Sequence, residues 1–269
     1  EVASARQSGR FERRVTYAFP DAPHEWAVAG GPRDERYVAT VRRLPDSAFS
    51  QVVVGVPRPN STALDLQAIS TGERTVREVA LTVTRAGRVV VAWSENHSGR
   101  QSVWVSERPA DGTFEPPRQL LPADRYIDGL TLVTSGADTA RVAWVTAATR
   151  REGRLVRPAL VTAKLGVSGD DGPQRDLSPA GQAVEAFTAA ADGRGGVTAL
   201  WAGDVAAEPG GSLHVRAITA QGRFGRVQRI TARGERAVAA ALGVGDDGDA
   251  AAVWTVAGEK RIRAARRPG

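Results

Sequence analysis

Four acidic residues stand at matched distances ahead of one recurring position in this chain. Glu25 and Glu78 lie 15 residues before Thr40 and Trp93, and Asp128 and Glu185 lie 16 residues before Trp144 and Trp201. If the recurring positions are equivalent places in a repeated fold, the four carboxylates converge around one axis. Two carboxylates across a cleft can act as general acid and base on a glycosidic bond, and their separation sets the stereochemical outcome. Crowded like charges raise some of their pKa values, which suits an acid kept protonated for proton transfer. The same oxygens could instead hold a hard cation such as calcium. A plainer expectation stands beside both: acids at strand starts that face water, or that pair with Arg77, Arg125 and Arg236 nearby.

Ligand-binding candidates come from the neighbouring text. The stretch "SENHSGR" over 94–100 carries Glu95, Asn96, His97 and Arg100, the most polar cluster among the expected loops. Trp26 directly follows His24 and Glu25; an aromatic face there could stack on a sugar ring, or alternation could bury it. Tyr126 is a similar candidate. His24, His97 and His214 are the only histidines, and no ligand spacing within one segment supports a metal site. No cofactor is expected beyond the calcium option. Phosphate-loop, nucleophile-elbow and dinucleotide-binding signatures are all missing.

The elements that must position these residues follow from an internal repeat. "RVVVAWS" (88–94), "ARVAWVT" (140–146), "VTALWAG" (197–203) and "AAAVWTV" (250–256) are one motif, and Trp93, Trp144, Trp201 and Trp254 are 51, 57 and 53 residues apart. Counting back from Trp93 reaches Thr40 in "RYVATVR", a fifth copy without its Trp. Each copy alternates apolar and polar residues, breaks at a Gly- and Asp-rich turn, and alternates again, which is the signature of antiparallel hairpins. No segment sustains a helical period. Four antiparallel strands in about 50 residues, repeated, is the layout of a propeller blade.

The fifth copy stops at "RRPG" with its fourth strand missing, and the N-terminal "QSGRFERRVT" matches the missing text, "ADGTFEPPRQ" in the second copy. The expected fold is therefore all-β: a single five-bladed β-propeller, four antiparallel strands per blade, with the N-terminal strand closing the last blade. The blades span about 17–70, 71–122, 123–178, 179–232, and 233–269 together with 1–16. Each Trp is expected to fill the space between adjacent blades.

"SERPADGTF" (106–114) resembles a degenerate Asp-box, with the first Ser displaced and Phe114 in place of Trp; "AQGRF" (220–224) and "SGRF" (8–11) are weaker copies. On these residues the chain resembles bacterial sialidase-like (BNR) propellers and related glycosidase and lectin propellers. An Asp-box stabilises a turn, so the resemblance implies fold before activity. The arginine triad and Tyr/Glu pair of a sialidase site have no counterparts that the blade layout places.

Composition narrows the partners. The net charge of +6 comes almost wholly from Arg, with Lys164 and Lys260 the only lysines, a usage expected of a GC-rich bacterial genome. The arginines are scattered, with no basic stripe interleaved with aromatics, so nucleic acid is not expected. There is no cysteine, and no apolar run approaches the ~18 residues of a membrane span. Without an initiator Met or a signal-like segment, the chain reads as a mature form of a secreted or cell-surface protein whose targeting peptide has been removed. The leading expectation is a monomeric ligand- or glycan-binding module, because a symmetric repeat with loops of similar length favours repeated weak sites. The alternatives are a glycoside hydrolase using two of the four acids, and a scaffold for another protein.

Overall fold

The computed structural model describes residues 2–5, 11–15, 24–33, 35–58, 63–151, 154–205 and 208–269. Its elements are strands, apart from one 3-10 turn at Val167–Gly169. A short hairpin, β1 (Val2–Ala5) and β2 (Phe11–Val15), comes first. Then β3 (Trp26–Gly30), β4 (Arg36–Arg43), β5 (Ser50–Pro57) and β6 (Leu64–Ala68) form a four-stranded antiparallel meander. The next meander is β7 (Thr75–Val83), β8 (Val89–His97), β9 (Arg100–Arg108) and the start of the long β10 (Arg118–Thr134). The far half of β10 opens the third meander with β11 (Ala140–Ala147). A side hairpin of β12 (Thr149–Arg151) and β13 (Arg154–Val156) interrupts that meander before β14 (Ala159–Leu165) and β15 (Arg175–Asp176). The fourth is β16 (Ala183–Ala191), β17 (Val197–Val205), β18 (Glu208–Ile218) and β19 (Gln228–Arg229). The last has three strands, β20 (Ala237–Val244), β21 (Ala250–Val256) and β22 (Ile262–Arg267).

Successive meanders stack face to face, and the Trp motif is why. In β8, Val89, Val91 and Trp93 enter the core shared with the preceding sheet, while Val90 and Ala92 enter the core shared with the following one. A strand buried on both faces reads as a continuous apolar run, which is the "VVVAW" of the sequence. The pattern recurs in β11, where Trp144 faces back and Ala143 and Val145 face forward, and in β17, where Trp201 faces back and Leu200 forward. Trp93, Trp144 and Trp201 are fully buried and Trp254 nearly so. Three of the indole N–H groups find acceptors: Glu95 Oε1 for Trp93 (2.9 Å), Gln182 Oε1 for Trp201 (3.2 Å) and Glu235 Oε1 for Trp254 (2.7 Å).

The first strands of the meanders lie side by side in chain order, β3 beside β7, β7 beside β10, β10 beside β16 and β16 beside β20. That arrangement makes them the inner wall. One expectation is corrected here. The N-terminal strand does not become the fourth strand of the last sheet: β2 pairs with β1, and β22 ends its sheet. Val2–Ala5 and Phe11–Val15 are close neighbours in the chain, so pairing with each other satisfies their backbone groups at a small loop-closure cost. On the last sheet Val253 and Ile262 are exposed.

Candidate functional site: a charged cavity at the starts of the inner strands

Four of the inner strands carry the same irregularity near their start. The ladder slips by one residue between Val76 and Glu78 in β7, Asp128 and Leu130 in β10, Val184 and Ala186 in β16, and Ala237 and Ala239 in β20. These are β-bulges, which leave one residue unpaired, bend the strand and re-aim its side chains. The bulged residues are Arg77, Gly129, Glu185 and Val238, each 15 or 16 positions ahead of its Trp. The one-residue ambiguity in the acid spacing is therefore physical.

The bulged stretches of β7, β10 and β16 open onto a cavity of about 770 Å³. Glu25, Glu78, Asp128 and Glu185 all line it, together with Arg77, Arg150 and Arg236. Ile127, Leu155, Pro158 and Val184 supply apolar wall. Arg150 and Leu155 face each other across the β12–β13 hairpin, which leans from the third meander over the site. In the fifth meander the equivalent bulge holds the exposed Val238, so that sheet contributes Arg236 instead of an acid.

The four carboxylates are not alike. Glu25, Asp128 and Glu185 are exposed to the cavity, whereas Glu78 is half-buried. Its Oε1 accepts a hydrogen bond from the Gly129 amide at 2.9 Å, and its Oε2 is buried with no partner. Burial drives the Glu78 pKa upward; the Gly129 hydrogen bond opposes this, the charges of Asp128 and Glu25 add to it, and Arg77 pulls the other way. The net direction is up, and Oε2 is the oxygen left without a partner among the described residues. Gly129 is required at its bulge for two reasons. Its φ of +70° is a left-handed conformation, and a Cβ there would come within 2.9 Å of Phe187 Cε1.

Among the described residues, no ion pair joins the cavity's carboxylates to Arg77 or Arg236. The expected neutralisation by Arg77 and Arg236 is thus not made, and Arg125 does not line the cavity. No three acidic or histidine side chains among the described residues are grouped to hold a metal ion.

The ligand candidates outside the acids fall elsewhere. Glu95 is buried beneath Trp93 and lies 3.8 Å from Arg74 Nη1, in the core rather than the cavity. Asn96, His97 and Arg100 form the tip of the β8–β9 hairpin. There Ser98 and Gly99 turn the chain at positive φ, Asn96 Oδ1 accepts from the Gly99 amide, and Arg100 donates to the Asp124 carbonyl. Trp26 is 64% exposed on β3 and does not line the cavity. Tyr126 is half-buried beside Ile127, its carbonyl accepting from Thr146 Oγ1. His24 is exposed next to Glu25. Sequence reasoning named Arg77 and Arg236 as neighbours of the acids, and both line the cavity, though as wall residues and not as ion-pair partners. It singled out neither Arg150 nor Leu155, which the β12–β13 hairpin brings to the wall.

No family model matches the chain, and no curated protein matches it in sequence. Solved structures do match it in fold. The polysaccharide lyase Uly1 superposes with a TM-score of 0.54 at 8% identity, covering 89% of this chain and 56% of its own. The α-L-arabinanase of Penicillium chrysogenum, complexed with arabinobiose, gives 0.54 at 10% identity, covering 91% and 76%. A Synechocystis apocarotenoid oxygenase gives 0.51 at 9% identity, covering 86% and 55%. The chain has a propeller-type all-β fold like theirs. It spans little more than half the length of two of these three proteins. Their differing chemistries leave activity to be argued from the cavity.

Proposed function

We propose that the protein is a glycan-active propeller of five blades whose cavity binds a sugar chain and cleaves a glycosidic bond, with Glu78 as the proton donor. The observation that carries this is the pair of unequal environments in one cavity. Glu78 is half-buried, fixed through Oε1 and bare at Oε2, while Asp128 and Glu25 nearby are exposed. Two carboxyl groups whose surroundings push their pKa values apart are the division of labour that acid–base cleavage needs. Glu78 would protonate the leaving oxygen. Asp128, Glu25 or Glu185 would activate water or stabilise the developing positive charge. Five stacked meanders with four intervening cores support the blade count, and the likeness to a polysaccharide lyase and an arabinanase supports the fold such a site needs.

Binding without turnover is the second reading. It is favoured by the equivalent placement of acids on successive repeats, which offers a sugar several similar hydrogen-bond acceptors. A polysaccharide panel scored for new reducing ends separates the two. Release that disappears in Glu78→Gln supports cleavage. Retention of a polysaccharide without release leaves binding. A product with a new carbon–carbon double bond means elimination and contradicts hydrolysis.

A further inference from the structure

Among the described residues, two of the guanidiniums that line the cavity, Arg77 and Arg236, form no ion pair with its carboxylates, and this speaks to the ligand. Arg77 sits on the β7 bulge beside Glu78, and Arg236 just before β20. Among the described residues neither is in an ion pair, although Glu25, Asp128 and Glu185 line the same space. Four carboxyl groups and three guanidiniums line this wall, so it offers both acceptors and donors of charge-assisted hydrogen bonds. A neutral sugar uses such a wall poorly: its hydroxyls donate well to carboxylates, but an unpaired guanidinium offers donors only and is best answered by a planar or tetrahedral anion. A glycan that carries anionic substituents answers both halves. Its hydroxyls meet Glu25, Asp128 and Glu185, and its anions meet Arg77 and Arg236.

We infer that the substrate class of this cavity is an acidic glycan, whose carboxylate or sulfate groups are met by Arg77 on one part of the wall and Arg236 on another. The inference rests on the glycan reading above and narrows it.

The test is calorimetric binding of tetragalacturonate, its fully methyl-esterified form, and dextran-sulfate oligosaccharide to the parent, Arg77→Gln and Arg236→Gln. All are made in the Glu78→Gln background, which serves as the parent of this test, so that no ligand is consumed. The parent should bind at least one anionic ligand about tenfold more tightly than the ester, as expected for losing a charge-assisted hydrogen bond. Each Arg→Gln change should erase most of that preference while leaving affinity for the ester within about twofold. Preference for the uronate over the sulfate, or the reverse, identifies the anion. Both arginines are exposed, and an unchanged melting temperature checks that the variants fold. Equal affinity for ester and acid, or a preference that survives both substitutions, overturns the inference. Neutral glycans that are cleaved in a Glu78-dependent way would then still uphold the proposed function. If no glycan of either charge binds, both fall.

Discussion

Two clusters of arginine and carboxylate sit at opposite ends of the same strands, and they are built in opposite ways. Beyond the far end of β7, Arg88 is buried and every part of its guanidinium is used. It donates to Glu107 Oε2, to Asp138 Oδ1 and carbonyl, and to the Gly166 carbonyl. Glu107, also buried, turns its other oxygen to Arg118 Nη2 at 2.6 Å, and Arg118 reaches Asp171 in a forked pair. That network joins the second and third meanders and has no room for a ligand. At the start of β7 the same residue types line a cavity, where among the described residues Arg77 and Asp128 form no ion pair and Glu78 Oε2 is buried without a hydrogen-bond partner. Paired buried charge fixes structure, whereas charge left open on a cavity wall is available to a ligand.

The sharpest way to break this comparison is to exchange the consequences of removing one carboxyl from each end. Glu78→Gln should lower bond cleavage by about 10²–10⁴-fold, the usual scale of a lost general acid, while glycan binding persists. Glu107→Ala should do the reverse. It strands the buried Arg88 charge and should cost about 3–5 kcal/mol in denaturant unfolding, with glycan affinity of the folded fraction unchanged. If Glu107→Ala melts at the parent temperature, the paired cluster is not structural.

Gly129→Ala tests the link between the bulge and the acid. The positive φ and the approach to Phe187 should cost about 1–3 kcal/mol of stability. Cleavage should fall further than stability explains, because the amide that holds Glu78 Oε1 moves. Glu95→Gln should leave cleavage intact and cost about 1 kcal/mol, as it weakens the acceptor for the Trp93 indole. A selective loss of glycan binding in that variant would return the hairpin to the site.

The smallest effect is in pH dependence. Burial raises the Glu78 pKa in the folded state. Its linked stability is therefore full below the unfolded pKa and is lost as pH rises through the folded one. Glu78→Gln mimics the protonated acid, so it should match the parent in acid and gain on it toward neutral pH, read as melting temperature across that range.

Much of this arrangement was legible in the sequence because a repeat converts spacing into geometry. Trp93, Trp144 and Trp201 marked the strands buried on both faces, and the acids 15 or 16 residues ahead of the repeat position marked the cavity wall. The limits were local. "SENHSGR" reads as a polar loop, yet β8 continues to His97 and the turn is only Ser98 and Gly99. Alternation therefore carries Glu95 inward under Trp93. The bulges were hidden because nothing in "TVREVALTV" marks a ladder slip, and Arg77 owes its place in the cavity to one. The N-terminal strand was assigned to the last sheet by text matching, which cannot weigh a distant partner against a hairpin a few residues away.

The measurement that bears most directly on the central claim is a titration of the Glu78 carboxyl by carbon NMR in the free protein, assigned with Glu78→Gln. The expected result is a midpoint above the ordinary glutamate range, coinciding with the alkaline limb of cleavage activity. A midpoint at or below that range would contradict the role of Glu78 as the proton donor.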